Sequence, residues 1–150
     1  MIIGAYSIIR DASRAVDYIE TRKDLDNKKI AYLGHSWGAR IGSIILAVDD
    51  RFDLGLFSFG GFSTNPAFPE ATELNFAPHV TVPIMMINGE HDVIFPYSLS
   101  VQPMFDTFGT PEADKTLVLL DGGHGIFVPH RNTYMKNMLS WLDRYFGPVK

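Results

Sequence analysis

Two hydrophobic rhythms alternate along the chain. In the first stretch Ile8, Ala12, Ala15, Val16 and Ile19 recur every three or four residues, with Arg10, Asp11, Arg14, Asp17 and Glu20 between them. That spacing sets the apolar side chains on one stripe of a helix, which the turn-rich run DLDNKK brings to an end. KIAYLG, residues 29–34, is short, apolar and bounded by turn residues, so it predicts a buried strand. WGARIGSIILAV, residues 37–48, returns to helical spacing through Ile41, Ile45 and Leu46. The same order repeats downstream. DLGLFSFG, PIMMING and KTLVLLD predict strands over 53–60, 83–89 and 115–121, and helical patterns follow the last two at 96–109 and 131–147, the latter closed by Gly147 and Pro148. Apolar strands separated by helices predict an α/β fold: a short, mostly parallel sheet of about four strands flanked by helices, in one domain over 1–150. One segment breaks the rhythm. Residues 60–83 are rich in Pro, Gly and Phe, and a connection that long is more often functional than idle, which suggests a lid or pocket wall.

Composition narrows the function classes. A chain of 150 residues is of single-domain size and buries roughly 70% of its unfolded surface. With 46% hydrophobic and 20% charged residues and a net charge of -4, it has the wrong sign for a phosphate-backbone binder, so nucleic acid is not an expected partner. The sequence contains no cysteine, which removes a disulfide framework, a thiolate nucleophile and cysteine-ligated zinc, and suits a cytoplasmic location. No apolar run approaches the ~20 residues that span a bilayer, so no membrane partner is expected. The opening MIIGAYSIIRD lacks a preceding basic residue and a clear cleavage site, and reads as mature sequence.

Chemistry concentrates at three corners. Gly34-His35-Ser36-Trp37-Gly38 fits G-x-S-x-G, in which a serine sits on a strained strand-to-helix turn and small flanking residues let the two elements approach. By residue frequency a chance match in a chain this long has a probability of roughly 5%, so the motif alone is weak. Its place directly after an apolar strand strengthens it, because the helix N-terminus and the Trp37 amide then point where an oxyanion would form. A serine also needs a base and a group to orient that base. Asp92 follows the third predicted strand and His124 the fourth, and in a parallel sheet the carboxyl ends of the strands share one edge.

With GHSWGA, NGEHDVIFP and DGGHGI in the order serine, aspartate, histidine, the chain resembles the C-terminal half of an α/β-hydrolase, of the dienelactone hydrolase and acetylxylan esterase-like branch, from its first helix to its last. The resemblance implies a serine esterase: Ser36 acylated, His124 shuttling the proton, Asp92 fixing the imidazole, and a small carboxylic ester as substrate, with no metal or organic cofactor. Trp37 would give one oxyanion-hole N–H. The strands and oxyanion loop that precede this region in the family, often marked by an HGG-like run, are missing. The domain therefore reads as a truncated α/β-hydrolase with weak activity, or as a non-catalytic fragment serving as an interaction module.

Other residues compete for these roles. His35 and His91 flank the serine and the acid but form no H-E-x-x-H pair, and His79 and His130 read as loop and helix-start residues. Glu90 and Asp121 rival Asp92, which sits in the acid turn, whereas Asp121 ends the strand leading to His124. Trp37 and Phe62 are candidate substrate contacts, along with Phe59, Phe68 and Phe76, although each also reads as core or lid packing. The glycines of GHSWGARIG do not match G-x-G-x-x-G, and no G-K-[ST] follows, so no nucleotide cofactor is expected. Finally, the 29–34 strand would be left as an exposed apolar edge, which predicts either a homodimer or an N-terminal segment to cover it.

Overall fold

The computed structural model describes residues 2–65 and 68–148, with side chains from residue 6 onward. Helix α1 (Ile2–Thr21) leads into β1 (Ala31–His35), α2 (Trp37–Val48), β2 (Leu54–Ser58), α3 (Glu73–Phe76), β3 (Ile84–Gly89), α4 (Gln102–Thr107), β4 (Lys115–Leu120) and α5 (Arg131–Phe146). The four strands form one sheet in the order β1-β2-β3-β4, every neighbouring pair parallel. This is the expected α/β architecture. The central strands β2 and β3 are buried at every position, as strands covered on both faces must be, while β1 and β4 at the two edges are only partly buried.

Strand alternation sorts the core into two layers. Leu54 and Leu56 of β2 and Met85 and Ile87 of β3 pack on Tyr134, Met138 and Trp141 of α5, residues spaced four and three apart on one helical stripe. Phe57, Ile84 and Met86 face the other way and meet Ile41, Ile45 and Leu46 of α2 and Val16 of α1. Ile8, Ile9, Ala12 and Ile19 complete the buried stripe of α1, whereas Ala15 is exposed. Arg51 ties α1 to the corner between α2 and β2: it donates to both carboxylate oxygens of Asp49, at 2.8 and 2.7 Å, and to Asp17 at 2.7 Å. The hydrogen bonds from Arg51 hold the Asp49 carboxyl at about 2, well below its ordinary range.

Two helical expectations change in detail. Over 96–109 the chain makes a wide π-type turn, Tyr97–Val101, before the short α4. The Pro96 carbonyl accepts from the N–H groups of Leu99, Ser100 and Val101, and Pro103 has no N–H to continue an ordinary helical ladder. The 60–83 segment, of which Pro66 and Ala67 lie outside the described residues, folds into single turns, Pro69–Ala71 and Ala77–His79, around α3. Contacts with distant residues fasten it. Phe62 N–H donates to the Ser100 carbonyl and Ser100 Oγ–H donates back to the Phe62 carbonyl at 2.6 Å, and the buried Glu73 is ion-paired with Arg40 of α2. Among the described residues no helix is long and apolar enough to cross a membrane.

Candidate active site

The only residue between the end of β1 at His35 and the start of α2 at Trp37 is Ser36. So abrupt a change of direction forces Ser36 to φ 52° and ψ -115°. This is glycine-favoured territory, and a non-glycine residue there costs on the order of 1–3 kcal/mol. Backbone bonds from Ser36 N–H to the Ser58 carbonyl at 2.8 Å and from Arg40 N–H to the Ser36 carbonyl at 3.0 Å hold the strained residue in place.

The two motif glycines are not equivalent. A Cβ on Gly34 would lie 2.6 Å from the Gly38 carbonyl oxygen and 2.7 Å from Ala39 N, backbone atoms that cannot yield, whereas a Cβ on Gly38 would meet nothing nearer than the Tyr32 hydroxyl at 3.9 Å. Gly34→Ala is therefore expected to cost about 2–4 kcal/mol, and Gly38→Ala to be neutral or to stabilise by up to ~1 kcal/mol through helix propensity. Thermal unfolding of the two variants checks this, and equal losses would show that strand and helix are not in close contact at Gly34.

The acid and the histidine come from adjoining loops. β3 ends at Gly89, beside β4, and the turn that follows is bonded to the loop after β4: Glu90 N–H donates to the Leu120 carbonyl at 3.0 Å and His91 N–H to the Gly122 carbonyl at 2.9 Å. The Asp92 carboxylate is fully buried. Its Oδ1 accepts the N–H groups of Ile94 at 2.8 Å and Phe95 at 3.1 Å, so the turn itself aims the group. Oδ2 lies 2.8 Å from His124 Nδ1, and His124 Nε2 lies 2.8 Å from Ser36 Oγ. With the Nδ1 proton directed at a carboxylate, Nε2 presents its lone pair to the serine hydroxyl. Ser36, His124 and Asp92 thus form one hydrogen-bonded chain.

The rivals sit elsewhere. The Asp121 carboxylate is 88% exposed and 3.5 Å from His91 Nε2, while its backbone carbonyl is 2.6 Å from His130 Nε2. Glu90 and His79 are exposed. The His35 ring stacks on Phe59, with centroids 5.7 Å apart. Trp37 is half exposed at the start of α2, where its N–H is one of the first-turn groups that helix geometry leaves without an intrahelical partner. Phe62 is 7% exposed and packs in the core on the α2 side of the sheet, while Phe68 is exposed and Phe76 partly buried.

Further residues shape the site, and of these the sequence had singled out only Phe59. Phe95 lies beside the imidazole, with ring centroids 5.9 Å apart. Phe59, at φ 55°, presents its ring to both His124 and Tyr134, and Tyr134 shares a 2.6 Å hydrogen bond with Ser58 Oγ. Burial raises the pKa of the Tyr134 hydroxyl, which stays protonated at neutral pH. Asn88 Nδ2 donates to the Gly60 carbonyl at 2.9 Å and so fixes the backbone beside Phe59. Tyr134 had a signal only as a core position of the last helix; its reach to the site depends on how α5 crosses the sheet.

Residues 7–148 match the family described as PET hydrolase-like. The chain belongs to this family. Its fold is that of the α/β-hydrolases. Within that grouping it is similar to cutinase est2 of Thermobifida alba, 28% identical over 144 residues, which cover 91% of this chain and 44% of that protein. Its fold is shared with a protein assigned as a dienelactone hydrolase from Klebsiella pneumoniae subsp. pneumoniae, with a TM-score of 0.77 at 16% identity over 94% of this chain and 62% of that one. A cold-adapted esterase from an Arctic intertidal metagenomic library superposes with a TM-score of 0.70 at 22% identity over 94% of this chain and 59% of that one. The PET hydrolase-like chain thus spans under half the length of its curated relative and about three fifths of these solved structures.

Proposed function

We propose that the chain is a serine hydrolase that cleaves small carboxylic esters through an acyl-enzyme. The observation that carries this reading is the pair of 2.8 Å contacts by which His124 joins Ser36 to the buried Asp92. In the proposed mechanism Ser36 Oγ attacks the ester carbonyl carbon as His124 Nε2 takes its proton. The imidazolium, stabilised by Asp92, then protonates the departing alcohol, and water repeats the sequence to release the acid. The Trp37 N–H donates to the developing oxyanion, helped by the N-terminal dipole of α2. The exposed Trp37 side chain walls the substrate, while Phe62 supports the site from the core rather than by open contact. Since loss of one oxyanion donor costs a factor of about 10^2–10^3, a chain relying on Trp37 alone turns over slowly.

The test combines hydrolysis of p-nitrophenyl acetate with labelling by a fluorophosphonate, which requires an activated serine. The expected result is slow hydrolysis, with the label located on Ser36 by mass spectrometry. A folded chain that neither hydrolyses the ester nor takes the label would overturn the reading in favour of a non-catalytic role.

A further inference from the structure

The loop that carries His124 does little to hold its ring. The histidine stands among glycines, in Gly122-Gly123-His124-Gly125, and Gly122 lies at φ 145°, where side chains are rarely tolerated. Residues 121–130 form bends and turns with no helix or strand. An imidazole turns readily about its Cβ–Cγ bond, because that torsion is broad and roughly two-fold. Its aim therefore depends on what touches it from outside the loop. Asp92 and Ser36 make the polar contacts, each at 2.8 Å. Phe95 and Phe59 add aromatic ones, with ring centroids 5.9 and 6.1 Å from that of the imidazole, the Phe59 pair edge-on at 66° between planes.

Phe59 meets His124 from a strained backbone. At φ 55° a bulky residue is an outlier, and the strain is on the order of 1–3 kcal/mol. The chain is held on both sides of it: Phe59 N–H donates to the Ile87 carbonyl at 2.9 Å, and the Gly60 carbonyl accepts from the buried Asn88 amide at 2.9 Å. Gly60 itself is wedged against the nucleophile corner, since a Cβ there would lie 2.4 Å from the Ala39 Cβ and 3.2 Å from the Ser36 carbonyl oxygen. The ring is as confined as the backbone. It stacks on His35 and lies 5.9 Å from the ring of Tyr134, whose hydroxyl is fixed on Ser58 Oγ at 2.6 Å. A glycine would occupy position 59 without strain, so it is the side chain that the strain secures.

We infer that Phe59 is a positioning residue, which holds the plane of the His124 imidazole while Ser36 is acylated. The inference rests on the serine-hydrolase reading and deepens it. Before reaction, the contact between Nε2 and Ser36 Oγ helps to set the ring. In the acyl-enzyme Oγ is bonded to the acyl carbon and has no proton to give, so that bond is gone when the histidine is next needed. Deacylation requires Nε2 to take a proton from water as the water oxygen bonds to the acyl carbon. Nε2 then returns the proton to Oγ as the C–O bond breaks and the acid leaves. Asp92 pins only Nδ1, and a ring held at one nitrogen still tilts about that bond. The Phe59 contact involves no proton and persists through both half-reactions. A substrate contact, the role the sequence suggested for Phe59, would act on acylation instead, because the acetyl group on Ser36 no longer has to be bound.

The test separates the two half-reactions. The chain is acetylated with p-nitrophenyl acetate, the nitrophenolate burst giving the acylation rate; excess ester is then removed and the decay of the acetyl-enzyme followed by intact-mass spectrometry. Phe59→Gly removes the ring and relaxes the backbone, so it is expected to unfold no lower than the wild type. It is expected to prolong the acetyl-enzyme at least ~10-fold, within the ~10^2 that a misplacement of about 1 Å costs, while acylation slows by less than about threefold. Phe59→Leu keeps the backbone strain and the apolar bulk without the flat ring, and its acetyl-enzyme lifetime is expected to fall between those of the wild type and Phe59→Gly. An unchanged lifetime in Phe59→Gly, or in Phe59→Leu should the glycine variant not fold, would overturn the inference and leave the serine-hydrolase reading standing, as would acylation slowed as much as deacylation. A wild-type chain that takes up neither acetyl nor fluorophosphonate would overturn that reading, and the inference with it.

Discussion

Ser36→Ala is expected to bring ester hydrolysis down to background, a loss of up to the order of 10^6 in turnover, and to abolish fluorophosphonate labelling. The variant keeps the fold, because the two bonds that hold the corner, to the Ser58 carbonyl and from Arg40 N–H, both use the Ser36 backbone. What it loses is the one oxygen within 2.8 Å of His124 Nε2. A companion variant separates the catalytic loss from a conformational one. At φ 52° and ψ -115° any residue with a Cβ is strained, so Ser36→Gly is expected to be as inactive as Ser36→Ala yet to unfold at a higher temperature. Relief of on the order of 1 kcal/mol corresponds to about 2–4 °C in a domain of this size. Strain retained at a position that glycine would fill more comfortably is then accounted for by the need for a hydroxyl there. A Ser36→Ala protein, purified free of other esterases, that hydrolysed ester at the wild-type rate would remove Ser36 from the mechanism.

Much of the fold was legible because the sheet is simple. Four apolar runs bounded by turn residues gave four strands whose ends lie within two residues of the expected ones, and the last helix was marked by its helical spacing over 131–147 and by Gly147 and Pro148. Periodicity failed where hydrogen bonding, not hydrophobicity, decides the conformation. The 96–109 run has helical spacing, but a proline without an N–H and a carbonyl serving several donors turn its first part into a wide π-type turn. The 60–83 segment has no period at all; its shape rests on the Arg40–Glu73 pair and on Ser100, whose partners are distant in sequence. The meeting of Ser36, Asp92 and His124 was legible for a topological reason, since parallel strands gather their carboxyl ends at one edge. Phe95 and Asn88 were not, because an aromatic after an acid turn and an amide at a strand end carry no pattern of their own. Phe62 shows the limit from the other side. Composition suggested a pocket wall, but which face of a loop an aromatic takes is settled only by what it packs on, and here that is the core.

Asp92→Asn is expected to lose about 10^4 in turnover while the protein remains folded, through the wrong histidine tautomer rather than through lost contacts. The buried carboxylate makes two kinds of bond at once: Oδ1 accepts from the Ile94 and Phe95 N–H groups, and Oδ2 faces His124 Nδ1. An asparagine preserves the first set with its carbonyl oxygen. Its NH2 group then points at Nδ1 and donates where the carboxylate accepted, which places the imidazole proton on Nε2. That proton faces Ser36 Oγ, and the histidine can no longer act as its base. Asp92→Ala removes both sets and leaves the turn amides without their acceptor, so it should lose stability as well as rate. Asp121→Asn is the control. Its carboxylate is 88% exposed and stands near His91 instead of His124, so the substitution should leave turnover within a factor of about two, as a solvated charge far from the reacting atoms implies. Rate measurements on the three purified variants, with unfolding midpoints alongside, separate these cases. Loss of rate in Asp121→Asn together with full activity in Asp92→Asn would transfer the orienting role to Asp121 and break the hydrogen-bonded chain on which the mechanism stands.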